Sequence, residues 1–90
     1  MLPPDIESHP MPHYRMHLRD GNDELLDPDG VYMPAQAVPG AALRAARDCI
    51  AGDVMTGRIE FKYRIDVEDD DGRVVYSLPF ADAVEIVPAA

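Results

Sequence analysis

The sequence predicts a small α+β domain of order β-β-α-β-β, with one helix packed on one face of an antiparallel sheet. Three observations carry this. Phe61, Tyr63, Ile65 and Val67, then Val74, Tyr76, Leu78 and Phe80, recur at every second position on either side of Asp71-Gly72. That is the pattern of a β-hairpin with one buried face. Tyr14, Met16 and Leu18 alternate with His13, Arg15, His17 and Arg19, a strand with a core side and a wet side. Between these segments, Ala42, Leu43, Ala46, Cys49, Ile50 and Val54 recur at helical spacing.

Each element follows in chain order. Residues 1–12 hold Pro3, Pro4, Pro10 and Pro12 without periodicity, so they read as a flexible N-terminal tail before a single α+β domain over 13–87. Met11, just before the first patterned residue, is a candidate biological start. Asp20-Gly21-Asn22-Asp23 is rich in turn formers; a Gly21-Asn22 loop sets Arg19 opposite Glu24 and Leu18 opposite Leu25. Asp27-Pro28-Asp29-Gly30 suits a type I turn, after which Val31-Tyr32-Met33 resumes the second strand. Pro39 fits the first turn of the helix, and Gly57 fits a left-handed cap. Gly52 weakens the last turns by about 1 kcal/mol relative to alanine. In the second hairpin a two-residue loop places Val67 opposite Tyr76 and Ile65 opposite Leu78, whereas a four-residue loop shifts the partners by two and keeps every side chain on its face. A one-residue slip would bury Asp66 and Glu68, so register is well specified. Residues 81–87 read either as a short helical turn or as a last edge strand.

The 90 residues, 47% of them hydrophobic, suffice for one core, but a thin one, rich in alanine and without tryptophan. Homodimerisation is an expected way to widen the margin over chain entropy. The net charge of −9 is uneven. Residues 1–34 carry two Arg against seven acids, 35–58 three Arg against two, and 59–90 three bases against eight. Such a field disfavours nucleic acid. Cys49 is the single cysteine, which excludes an internal disulfide or a Cys-based zinc site and suits an apolar filler. No apolar run is long enough for a bilayer and no signal-peptide core is present, so a cytoplasmic location with no membrane partner is expected.

Catalytic chemistry finds little support. The hydroxyl nucleophiles are Ser8, Thr56 and Ser77, none in a Gly-x-Ser-x-Gly elbow. His13 and His17 on a strand lie about 13 Å apart, too far to share one ion, and read as solvent-facing. The acidic turns fail the calcium-loop pattern, because the first position counted back from Gly72 is Val67 and from Gly30 is Leu25. No cofactor or metal is expected. The remaining candidate is a cationic sheet face of His13, Arg15, His17 and Arg19, extended by Lys62 and Arg64 where these share it. That face would suit an anionic ligand, an acidic partner or a second subunit. The competing reading, which the balance of charges favours, is that Glu60, Asp66 and Glu68 neutralise it in place.

A resemblance rests on His17-x-Arg19-Asp20-Gly21, Asp27-x-x-Gly30, the Ala42 to Ala46 helix with Arg44 and Arg47, Asp71-Gly72-Arg73, and Leu78-Pro79-Phe80-x-Asp82-Ala83-Val84. In this order they resemble a family of short uncharacterised bacterial proteins, a domain of unknown function. The likeness spans roughly Met11 to Ile86. It implies the fold and no activity. The expected role is therefore a non-catalytic interaction or regulatory module that self-associates or binds a protein partner. The alternative is a small anionic ligand on the basic face.

Overall fold

The computed structural model describes residues 11–21 and 24–89, with Leu25 described in its main chain only. Most of the expected tail, and Asn22 and Asp23 of the first loop, lie outside the described residues. The strands are β1 (His13–Arg19), β2 (Glu24–Leu25), β3 (Val31–Tyr32), β4 (Arg64–Glu68) and β5 (Val74–Pro79), and helix α1 spans Val38–Thr56. The sheet order is β2-β1-β4-β5, antiparallel throughout, with β3 also paired to β1. The expected α+β order is borne out.

β2 and β3 are two halves of one broken strand. Arg19 and Leu18 pair with Glu24 and Leu25 as the turn chemistry predicted, while His13 and Tyr14 pair with Tyr32 and Val31. Between them, the Asp27 carboxylate accepts N–H bonds from Asp29 at 3.2 Å and Gly30 at 3.0 Å, and from Met16 of β1 at 3.3 Å. One side chain thus holds the kink and ties it to β1. Gly30 has φ 72°, and a Cβ there would run into the Tyr14 carbonyl oxygen and lie 2.7 Å from His13 Nε2. No other residue fits that corner.

The β4–β5 hairpin closes through a turn over Asp69–Gly72, with Gly72 at φ 81° and its N–H on the Asp69 carbonyl at 3.0 Å. Glu68 pairs with Val74, yet Val67 pairs with Tyr76, so Val75 is an extra, bulged residue. The loop is therefore longer than two residues, as the four-residue alternative allowed, and the bulge restores the register that a two-residue loop would set. Ile65 faces Leu78 as expected.

α1 is entered through a 3-10 turn, Ala35–Ala37, and carries Pro39 in its first turn. Gly57, at φ 85°, ends it: its N–H bonds the Val54 carbonyl at 3.0 Å and that of Arg58 the Asp53 carbonyl at 3.2 Å. Ala42, Ala46 and Ile50 pack on Ile65, Val67, Leu78 and Phe80. Three details differ from the pattern. β4 begins at Arg64, so Phe61 and Tyr63 pack from the preceding turn, and Tyr63 holds the Phe80 N–H at 3.0 Å. Val54 and Val74 are exposed, being at the frayed margins of helix and hairpin. Phe80–Asp82 forms a 3-10 turn, which decides the ambiguous segment against a last strand. Arg47 Nε donates to the Ala83 carbonyl at 2.8 Å and fastens that turn to the helix.

Candidate functional site

The face of the sheet opposite α1 gathers the predicted cationic residues around two carboxylates. Asp66 of β4 accepts from Ser77 Oγ at 2.6 Å, Arg19 Nη1 at 3.1 Å and Arg64 Nε at 3.1 Å. Glu68, on the same face one pleat along, takes Arg19 Nη2 at 3.0 Å and His17 Nε2 at 3.2 Å. Burial raises the Asp66 pKa, but the Ser77 hydroxyl, Arg19 and Arg64 together outweigh it and hold the group below its usual range. The Arg19 hydrogen bond, aided by His17, likewise lowers Glu68. Arg19 Nε completes the clasp with an ion contact of 3.3 Å to Glu24, outside hydrogen-bond alignment.

His17 was expected to face solvent; it is 5% exposed. Its Nδ1 accepts the Asp27 N–H at 3.0 Å, which assigns the proton to Nε2, the atom directed at Glu68. The neighbouring long side chains bury it although no helix covers this face. His13 touches two acceptors, the Asp70 carboxylate at 2.9 Å through Nδ1 and the Asp29 carbonyl at 2.8 Å through Nε2. The Asp70 hydrogen bond first, and the Asp29 carbonyl second, raise its pKa above 6.5. Arg15 reaches the Pro28 carbonyl at 3.4 Å. Lys62 stands outside the sheet, paired with Asp20 at 3.3 Å, and that pairing raises its pKa. Arg19, His17 and Arg64 are thus brought together, His13 and Arg15 line up beside them at the kink, and Lys62 is apart.

Paired this way, the central face is neutral: two guanidiniums meet two carboxylates. An anion arriving here would have to displace Asp66 or Glu68 from partners already in hydrogen-bond contact. The sequence named the cations and, in Asp66 and Glu68, the carboxylates expected to neutralise them; the β1–β4 register aligns the two rows, while Glu60, expected to join them, pairs with Arg58 instead.

The helix side of the sheet has a second feature. α1 packs on β4 and β5, and its flank toward β1 carries the short side chains Ala41, Ala45 and Cys49. Beside them opens an apolar groove made of two contiguous hollows that share Met16 and Ala45. One, of about 380 Å³, is lined by Leu18, Leu26, Cys49 and Ile65; the other, of about 460 Å³, by Val31, Met33 and Ala41. Leu26 and Val31 are 54% and 43% exposed along its outer wall, while Tyr32, opposite His13, lays its ring against that imidazole at 4.7 Å on the other face. Arg44 and Asp48 stand on the rim. The groove has no sequence motif and follows from widths: one helix about 10 Å wide spans two strands spaced about 4.8 Å apart, not four.

Among the described residues, no group of three His, Cys, Asp or Glu side chains is placed to hold a metal ion. No helix among them is long and apolar enough to cross a membrane. A family model covers residues 13–81, from the first residue of β1 to the turn after β5. The chain belongs to DUF6894, a domain of unknown function. The expected resemblance to an uncharacterised domain family is borne out. Comparison with curated proteins and with solved structures found no match. Within this DUF6894 domain the residues that carried the resemblance have structural work: Arg19 clasps Asp66 and Glu68, Asp27 and Gly30 make the kink, and Gly72 turns the hairpin.

Proposed function

We propose that this DUF6894 domain is a non-catalytic binding module that takes a segment of another protein in the groove between α1 and the broken β2–β3 strand. The observation that carries the reading is the contrast between the two faces of one sheet. On the polar face, Arg19 and Arg64 are held by internal carboxylates. On the helix face, Met16 and Leu18 remain half-buried, and Leu26 and Val31 are exposed, a contiguous apolar surface of the kind that marks interaction sites. A cytoplasmic, reducing setting suits Cys49, whose thiol in the groove wall is pushed up in pKa by burial, which disfavours the thiolate.

The test is site-specific photo-cross-linking in cells that make the protein. A benzophenone side chain at Ala45 is expected to give a discrete adduct, absent when it stands at Arg64 and lost when Ala41 is replaced by Arg. No adduct from Ala45, or adducts from Arg64 alone, would reject the groove as the binding surface.

A further inference from the structure

We infer that the occupant of this groove is a single amphipathic helix with a cationic outer face, contributed by a different protein. The inference rests on the binding-module reading above and names the chemistry of its partner.

Three observations converge on a helix. The uncovered half of the sheet comprises β1 and the β2–β3 strand, about 10 Å across, the diameter of one helix. α1 is the only helix longer than one turn among the described residues, and it packs on the other half, β4 and β5. Its flank toward the groove is lined by Ala41, Ala45 and Cys49, four residues apart, which lets a neighbouring helix approach closely and seat larger apolar side chains over Met16 and Leu18. A second helix laid alongside would complete the two-layer arrangement that the first leaves half made.

Charge selects the partner. The outer wall of the groove comes from residues 26–33, which carry Asp27 and Asp29 and no basic side chain, within a chain of net charge −9. Such a field attracts a basic segment and repels an acidic one. A second copy of the chain is the poorer occupant. Its α1 shows Arg44 and Asp48 on the side away from its own core, where the groove demands apolar side chains, and two copies of charge −9 repel.

The test uses three designed 18-residue peptides and the whole protein: a Leu/Lys amphipathic helix, a Leu/Glu helix with the same apolar face, and a Leu/Lys scramble without helical periodicity. Binding is followed by nitrogen–proton NMR and calorimetry at two salt concentrations. The Leu/Lys helix is expected to bind at least about tenfold more tightly than either control, with shifts at Met16, Leu18, Ala45 and Cys49 and a loss of affinity in high salt. Ala45→Trp, a half-exposed position that tolerates bulk, should abolish those shifts while leaving the spectrum folded. Equal binding of the scramble or the Leu/Glu helix, shifts confined to the Arg15 and Arg64 face, or no binding would each overturn the inference. So would a dimer by sedimentation that Ala45→Trp dissolves, which assigns the groove to a second copy. A cross-link at Ala45 in cells combined with no preference among the peptides rejects the cationic helix and leaves the groove reading standing.

Discussion

His17 Nδ1 accepts the backbone N–H of Asp27 at 3.0 Å, and the Asp27 carboxylate in turn accepts the backbone N–H of Met16 at 3.3 Å. The two residues lock β1 to the kink in the neighbouring strand through reciprocal bonds. A buried imidazole is thereby used as an acceptor, in the Nε2–H form, and its proton points at Glu68.

That assignment has a spectroscopic consequence. Long-range nitrogen–proton NMR near neutral pH should show His17 as the Nε2–H tautomer with an unprotonated Nδ1. A spectrum of the Nδ1–H form would mean that the Asp27 N–H has another partner and that the kink is built differently.

Arg19 and Arg64 both bond Asp66, yet they should differ sharply when removed. The Arg19 side chain is 17% exposed and serves two carboxylates, whereas Arg64 is 42% exposed and serves one. Arg19→Gln leaves Asp66 and Glu68 without their shared cation and is expected to destabilise by about 3 kcal/mol. Arg64→Gln should cost less than about 1 kcal/mol, because solvent screens that pair. Urea unfolding of both variants decides it. Equal losses would place the weight of the network elsewhere.

Two glycines make a matched pair. Gly30→Ala puts a Cβ against the Tyr14 carbonyl at φ 72° and should cost about 2 kcal/mol. Gly52 lies in α1 with nothing within 4 Å of a built Cβ, so Gly52→Ala should stabilise by up to about 1 kcal/mol. Thermal melts that move in the same direction for both would contradict the kink geometry or the helix.

Stability should depend on pH from two sides. Folding raises the His13 pKa, chiefly through Asp70, so this contribution is full below 6.5 and fades as pH climbs through the folded value. Folding lowers three carboxyls. For Asp27 the Gly30 N–H is the main cause; for Glu68 it is Arg19; for Asp66, Ser77 and the two arginines outweigh burial. Their contributions hold above the ordinary 3.8 for Asp and 4.5 for Glu, and vanish as pH falls through the lowered values. Both sets act together between 4.5 and 6.5. Melting the protein and its His13→Gln variant across roughly pH 3 to 9 should show two curves that converge on the alkaline side. Curves that stay a constant distance apart would remove His13 as the cause.

Periodicity alone determined which segments are strand and helix and most of their buried sides, but not where β4 starts or that Phe80 opens a 3-10 turn. Tyr14, Met16 and Leu18, then Ile65, Val67, Tyr76 and Leu78, could meet a helix only in one register, because a one-residue slip exchanges the faces of a strand. The turns were equally local. Asp27 and Gly30, or Asp71 and Gly72, act within a few bonds of themselves, so their chemistry is legible in order. Tertiary structure alone decided what the charges do and where apolar surface is left over. Arg19 and Asp66 are 47 positions apart in the chain, and only the pairing of β1 with β4 converts a row of cations into a neutral clasp. The groove likewise has no motif. It arises because α1 packs on β4 and β5 while short side chains line its other flank, a matter of widths in space that no run of residues encodes.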